Sequence, residues 1–199
     1  CFRDMKKYWG KFRALPLPAQ WLVYFVLGLL ILSFLFAPEV KPVDYRDISF
    51  STTADSRLYF NNIRSYYYHI DNRSKAPTAI YNLKRRSPER DSTNLNFSII
   101  HYPGAEEVFI FSALGKAYEQ YENLKVSFNK YPNEAERLNG IDREGHFRIA
   151  AKSYSSILDN QAVFLLNGSD TICQLFADKA SLLDAEITLE DYFKLTLKN

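Results

Sequence analysis

WLVYFVLGLLILSFLFA, residues Trp21 to Ala37, is the stretch that decides how this chain is organised. It carries no charge, and Ser33 is its one polar side chain apart from Trp21 and Tyr24, which suit a membrane interface. With the residues just before it, the stretch reaches the roughly 20 residues that a helix needs to cross a hydrocarbon core of about 30 Å. The sequence therefore predicts one transmembrane helix over residues 19–37.

The flanks of this stretch predict that it is not cleaved and set its direction. Leu35 is not a small residue, and Pro38 would directly follow a cut after Ala37, so we expect no signal-peptide cleavage. Basic residues dominate before the helix, whereas acidic residues dilute them after it. We expect a single-pass protein of the cell inner membrane with a cytoplasmic N-terminus and a periplasmic C-terminal domain.

Residues 1–18 are the predicted cytoplasmic segment. Their apolar side chains recur at spacings of three and four, which favours a short amphipathic helix in the lipid headgroups; a disordered basic tail is the alternative. The predicted interfacial residues are Lys6, Lys7, Trp9, Lys11 and Arg13. The predicted membrane-anchor residues are Trp21, Tyr24, Phe25, Leu29, Leu32 and Phe36. Because this helix has no charge and no pair of small residues four apart, we expect a tether in the lipid bilayer.

A short linker, residues 38–44, leads into one predicted domain at residues 45–199, which is long enough to bury its own core. Cys1 and Cys173 flank the predicted membrane helix and so cannot pair with each other. Cys173 is expected to be a small buried hydrophobe, with an intermolecular disulfide or a reactive thiol as alternatives. The formal net charge is only +2, and the lysines and arginines are spread through the chain, so we expect no nucleic-acid partner.

Patterns of apolar residues predict both strands and helices in this domain. Residues 94–101 and 107–112 predict a β-hairpin, and residues 144–159 predict the most regular helix. Further predicted strands are 48–52, 79–83 and 124–128. Residues 57–70 predict a helix or turn followed by a strand. The other predicted helices are 114–123 and a short helix from Pro132, and residues 163–166 predict a strand or an extension of the helix before them. The predicted fold is a single transmembrane helix plus one α+β soluble domain, with an antiparallel or mixed sheet and packed helices.

Motifs of catalysis and of cofactor binding are missing from the sequence. The three histidines, His69, His101 and His146, stand alone without zinc-ligand spacing, and no glycine-rich phosphate loop occurs among seven glycines. No serine-nucleophile motif is present, although a spatially assembled triad stays open. Paired carboxylates such as Glu134 and Glu136 are expected to be structural, at a helix start. We therefore assign no catalytic, cofactor-binding or metal-binding residue.

Two local features suggest partner contacts. Three consecutive tyrosines cannot all point inwards, and a basic run follows shortly after them. The predicted contact residues are Tyr66, Tyr67, Tyr68, Lys84, Arg85 and Arg86. The sequence thus favours a non-catalytic accessory or structural subunit of a larger membrane protein complex. The alternatives are a periplasmic ligand-binding or sensor module that acts through a partner, and a membrane-anchored envelope hydrolase.

Overall fold

The computed structural model describes residues 16–35, 43–73, 78–102 and 104–196 of the chain. The chain divides into two compact units, Cys1–Val40 and Lys41–Asn199. The predicted interfacial segment, anchor residue Phe36 and most of the predicted linker lie outside the described residues.

In the first unit, the described part is helix α1, Leu17–Leu35, which confirms a helix where the hydrophobic stretch predicts one. It has no acidic residue in its first turn and no basic residue in its last. Its large apolar side chains from Leu17 to Leu32 are exposed within the unit. Among the residues that the structure describes, no helix reaches the combined length and hydropathy that a membrane crossing requires. The transmembrane assignment therefore stays a proposal.

The second unit begins with a helical segment and a four-stranded antiparallel sheet. Thr53 caps α2 by accepting a hydrogen bond from the Ser56 backbone N–H, and Ser56 returns a capping-box bond. A π-helical turn, Phe60–Arg64, and a 3₁₀ turn, Ser65–Tyr67, then lead into the first strand. The elements are α2 Ala54–Tyr59, β1 Tyr68–Arg73, β2 Thr78–Leu83, α3 Pro88–Ser92, β3 Leu95–Tyr102 and β4 Glu107–Leu114, with sheet order β1-β2-β3-β4.

A second four-stranded antiparallel sheet and two long helices complete this unit. The elements are β5 Leu124–Phe128, β6 Tyr131–Arg137, α4 Arg143–Leu158, β7 Val163–Asn167, β8 Asp170–Leu175 and α5 Lys179–Leu195, and the sheet order is β6-β5-β7-β8. Helix α4 contacts β4 of the first sheet and also β5 and β6 of the second, whereas α5 packs mainly on β3 and α4. The α+β domain with packed helices is therefore confirmed.

Alternating residues of the first sheet form the core face beneath α4 and α5. Along β3, Leu95, Phe97 and Ile99 are buried, while the residues between them are half-exposed. This two-residue period is the signal that predicts a strand with one covered face. The hairpin of β3 and β4 is confirmed, with Ile99 directly opposite Ile110 in register.

Two predicted helices are wrong. Residues 114–123 contain only a 3₁₀ turn, Lys116–Tyr118, because β4 extends to Leu114 and Gly115 then packs against α3. A Cβ at Gly115 would lie 2.2 Å from the Asp91 carbonyl oxygen, so this approach needs glycine. The helix predicted from Pro132 is strand β6, in which Glu134 and Glu136 share one face at a spacing of two residues.

Three smaller differences concern chain segments at sheet edges. The predicted strand at 48–52 forms only one bridge, Ser51 to Glu107, because Thr53 begins the cap of α2. Strand β8 was not predicted, and it carries Cys173, which is half-buried and not fully buried as expected. The stretch 84–92, whose high charge predicts a loop, contains α3, whose N-cap is Ser87.

Candidate functional site

Exposed apolar side chains follow one another along the chain from the end of α2 to the start of β1. We call this surface the tyrosine patch; its residues are Leu58, Tyr59, Ile63, Tyr66, Tyr67 and Ile70. Leu58 is 61% and Tyr66 76% exposed, which is unusual for side chains of this size in a domain with a well-filled core. Residues 59, 63 and 67 follow one another at intervals of four along α2, the π-helical turn and the 3₁₀ turn.

Cationic groups hold the two exposed tyrosine rings in place. The ring centroids of Tyr66 and Tyr67 lie 5.8 Å apart in an edge-to-face arrangement. Lys84 Nζ lies 4.8 Å from the Tyr66 centroid and donates a hydrogen bond to the Tyr66 carbonyl at 2.6 Å. The Arg64 guanidinium lies 5.0 Å from the Tyr67 centroid. These cation–π contacts preorganise aromatic rings that face solvent.

An ion pair between Arg64 and the buried carboxylate of Asp191 supports the tyrosine patch. Arg64 binds Asp191 of α5 through two nitrogens, at 2.7 and 3.0 Å, and Tyr68 donates a hydrogen bond to the same carboxylate at 2.7 Å. Tyr68 is 2% exposed, and its pKa is raised by burial first and by the Asp191 charge second. The predicted contact residue Tyr68 is therefore a support beneath the patch and not part of its surface.

The basic run near the patch carries more positive than negative charge. Arg85 and Arg90 both contact Asp184, at 2.6 and 3.0 Å, so two cations share one carboxylate. Lys84 binds a carbonyl oxygen and no carboxylate among the described residues. Arg86 is the inward member: its side chain is 14% exposed and pairs with Asp91 at 2.9 Å. Lys84 and Arg85 are thus the predicted contact cations that remain accessible, and we call them the basic rim.

A cleft of about 470 Å³ opens beside helix α4, at the C-terminal end of β4, and we call it the His146 cleft. Its apolar wall comes from β4, from the loops that flank the second sheet, and from the start of α4. The main apolar lining residues are Phe111, Leu114, Tyr118, Tyr121, Leu138 and Ile141. Neither the aromatic wall nor the loop that forms it was predicted as a site.

One wall of the cleft is a contact between Ser112 and His146. The His146 Nδ1 atom accepts a hydrogen bond from the Ser112 backbone N–H at 3.2 Å and lies 2.8 Å from Ser112 Oγ. Because a backbone N–H can only donate, Nδ1 is unprotonated and the neutral ring carries its proton on Nε2. The pKa of His146 is lowered by burial, with a smaller opposing effect of Asp142. The ring thus stays neutral and turns its Nε2–H away from Ser112.

The charge around the cleft is negative. Glu119 is the one charged residue among those that line it, and it forms no ion pair with any described residue. Asp142 caps the nearby N-terminus of α4 by accepting from the Gly145 N–H at 2.8 Å, which offsets the positive end of the helix. The cleft therefore has no cationic group to attract an anion.

The serine–histidine contact lacks the rest of a hydrolase site. Ser112 is 4% exposed and, within the described ranges, no carboxylate hydrogen-bonds the His146 ring to orient it as a base. Tyr118 instead uses its hydroxyl to donate to the Thr93 carbonyl at 2.9 Å and to contact Cys173 Sγ at 3.1 Å. No cluster of three or more histidine, cysteine or acidic side chains suited to a metal ion occurs among the described residues.

The other histidines lie apart from the cleft. His69 is exposed on strand β1, whereas His101 is buried at the end of β3, and its Nε2 atom has no hydrogen-bond partner in the described part of the chain. Burial lowers the pKa of His101, and the nearby charge of Arg57 lowers it further.

The predicted anchor residues Trp21, Tyr24, Phe25, Leu29 and Leu32 all have exposed side chains on α1.

Comparisons of this chain with protein-family models, with characterised proteins and with solved structures found no match.

Proposed function

We propose that this protein is a non-catalytic, single-pass accessory subunit of a larger membrane protein complex, with a periplasmic domain that contacts other subunits. The observation that carries the proposal is the tyrosine patch with its basic rim. Aromatic residues and arginine are enriched where proteins bind each other, and ordered tyrosine rings lose little conformational entropy on binding.

The patch suits a protein partner that is apolar at the centre of its contact surface and acidic at the edge. The exposed rings and aliphatic side chains would be desolvated at the centre, as in the anchor residues of a protein interface. Lys84 lacks a carboxylate partner among the described residues, and Arg85 shares Asp184 with Arg90, so the rim keeps an excess of positive charge. Fixed ring positions favour such a partner over a fluid lipid surface, which needs no particular geometry.

The uncharged sequence from Trp21 to Ala37 supports the membrane part of the proposal. The described helix α1 covers 19 residues, about 28 Å at the usual rise of an α-helix, against roughly 30 Å for a hydrocarbon core. A small deficit of this kind is accommodated by local thinning of the bilayer. The basic residues before the helix support the cytoplasmic placement of the N-terminus.

Extraction from native membranes tests this function. In a mild detergent we expect the full chain to elute as an assembly several times its own 23.2 kDa mass, after correction for bound detergent. The double variant Ile63→Ser, Tyr66→Ser should elute as a smaller species while it stays in the membrane fraction. Elution of the unmodified protein as a monodisperse monomer would contradict the proposal.

A second measurement tests the anchor separately. Alkaline carbonate should leave the unmodified chain in the membrane pellet, whereas the double variant Leu27→Arg, Leu30→Arg should be released, because two central charges make insertion costly. Release of the unmodified chain would exclude a membrane-spanning anchor and leave the contact surface to be tested by itself.

A further inference from the structure

We propose that the His146 cleft binds a small organic cation, a primary amine carried on an aliphatic or aromatic body. This activity is independent of the proposed role as a complex subunit, because the cleft shares no residue with the tyrosine patch.

The size and the lining of the cleft suit a small molecule. Its volume of about 470 Å³ falls in the usual range of ligand pockets, which is about 300 to 1,000 Å³. Leu114, Leu138 and Ile141 supply apolar surface, which would take the body of the ligand out of water.

The aromatic and acidic groups favour a positive charge on that ligand. Phe111, Tyr118 and Tyr121 line the cleft, and the faces of aromatic rings attract ammonium groups. Glu119 adds a carboxylate with no ion-pair partner in the described part of the chain. No lysine or arginine lines the cleft, so an anionic ligand would find no ion-pair partner among its lining residues.

The polar atoms at the wall also match an amine. The Ser112 contact holds His146 in its neutral form, so the ring contributes no positive charge that would repel an ammonium group. Asn139 uses its side-chain nitrogen to donate to the Glu122 carbonyl, which leaves its side-chain oxygen as an acceptor. An ammonium group can donate three hydrogen bonds, and Glu119 and Asn139 both accept them.

The experiment uses the full chain in nanodiscs of zwitterionic lipid, with ¹³C-labelled isoleucine and leucine methyl groups observed by NMR. Three probes share one body and differ in charge: 4-phenylbutylamine, 4-phenylbutan-1-ol and 4-phenylbutyrate. The methyl groups of Ile141 and Leu138 report on the cleft. Those of Ile157 and Leu182 are internal controls, because they line a separate pocket that shares no residue with the cleft.

We expect saturable shifts at Ile141 and Leu138 that are strongest for the amine, weaker for the alcohol and absent for the carboxylate. Glu119→Gln should weaken amine binding by about fivefold, as expected for one partly exposed ion pair, and leave the alcohol unchanged. Glu122→Gln, a neighbouring carboxylate outside the cleft lining, should change neither. Equal binding of amine and carboxylate would overturn the cationic assignment. Shifts confined to Ile157 and Leu182, or no saturable shift, would overturn the site.

Discussion

The Lys152 ammonium group lies 2.9 Å from Glu136 Oε1, although the lysine side chain is only 2% exposed. Glu134 binds the same nitrogen at 2.9 Å, and the ring of Tyr45 lies 4.5 Å from it. The charge sits within the domain between helix α4 and strand β6, so it is stable there only while its carboxylates are present. The same contact joins the first described residues of the domain to its core, because Tyr45 also donates a hydrogen bond to Glu134.

Removal of the Glu136 carboxylate should lower the free energy of unfolding more than removal of the Lys152 ammonium group. We expect Glu136→Ala to lower the free energy of unfolding by about 3 kcal/mol, because a buried cation loses a partner. Lys152→Met should cost only about 1 kcal/mol, since the half-exposed Glu134 can be hydrated instead. Urea unfolding of the full chain in detergent measures both. Glu144→Ala, on the exposed side of α4, is the control and should change stability by less than about 0.5 kcal/mol.

The hydroxyl of Tyr68 should contribute more to the free energy of unfolding than the hydroxyl of Tyr67. Tyr68→Phe removes the 2.7 Å hydrogen bond to buried Asp191 and should lower the free energy of unfolding by about 2 kcal/mol, as expected for a bond to a charged group. Tyr67→Phe removes an exposed hydroxyl and should change it by less than about 0.5 kcal/mol. Equal losses in the two variants would show that the Asp191 contact does not support the patch.

His101 should make stability depend on pH. Its pKa is lowered in the folded state, so the unfolded chain takes up a proton first as the pH falls below the ordinary value of about 6.5. The unmodified protein therefore keeps its full stability above that pH. It loses stability as the pH falls towards the lowered pKa of His101 in the folded state. We expect His101→Leu to gain stability relative to the unmodified protein between pH 7 and pH 5 in urea unfolding. A difference between His101→Leu and the unmodified protein that stays constant from pH 7 to pH 5 would contradict this account.

The hydrophobic periodicity of the sequence is sufficient to predict elements whose partners are nearby in the chain. Strand β3 alternates between buried and more exposed residues and forms a hairpin with β4, and α4 has a long apolar face, so the hairpin and the helix are both confirmed. Strand β6 was predicted as a helix because Pro132, followed by Glu134 and Glu136, is typical of the start of a helix. What makes it a strand is its pairing with β5 and the charge of Lys152, a residue that is distant in sequence.

The two candidate sites differ in how far the sequence could indicate them. Three consecutive tyrosines predicted exposed rings, and Tyr66 and Tyr67 are indeed exposed while Tyr68 is buried. The His146 cleft gave no such signal, because Ser112 and His146 are 34 positions apart and meet only when α4 packs on β4. Neither residue belongs to a motif, so only their positions in the fold show the contact.

Charge reversal on the basic rim should weaken the proposed subunit contact without unfolding the domain. Lys84→Glu places a negative charge beside Tyr66, and we expect it to shift the assembly towards smaller species, most strongly at low salt, where charges are least screened. Lys179→Glu, in the first turn of α5 and outside the patch, is the matched control and should leave the assembly intact. An unchanged assembly with Lys84→Glu would exclude an acidic edge on the partner.

Site-specific photo-crosslinking in native membranes tests the central claim most directly. A benzophenone side chain at Tyr66 or Ile63 should form a defined adduct with an integral membrane protein, and Lys84→Glu should reduce the yield severalfold. The same group at Asn160, an exposed turn residue after α4, should not form that adduct. Adducts with lipid alone at Tyr66 and Ile63, or the same protein adduct from Asn160, would contradict the assignment of the tyrosine patch as a subunit contact.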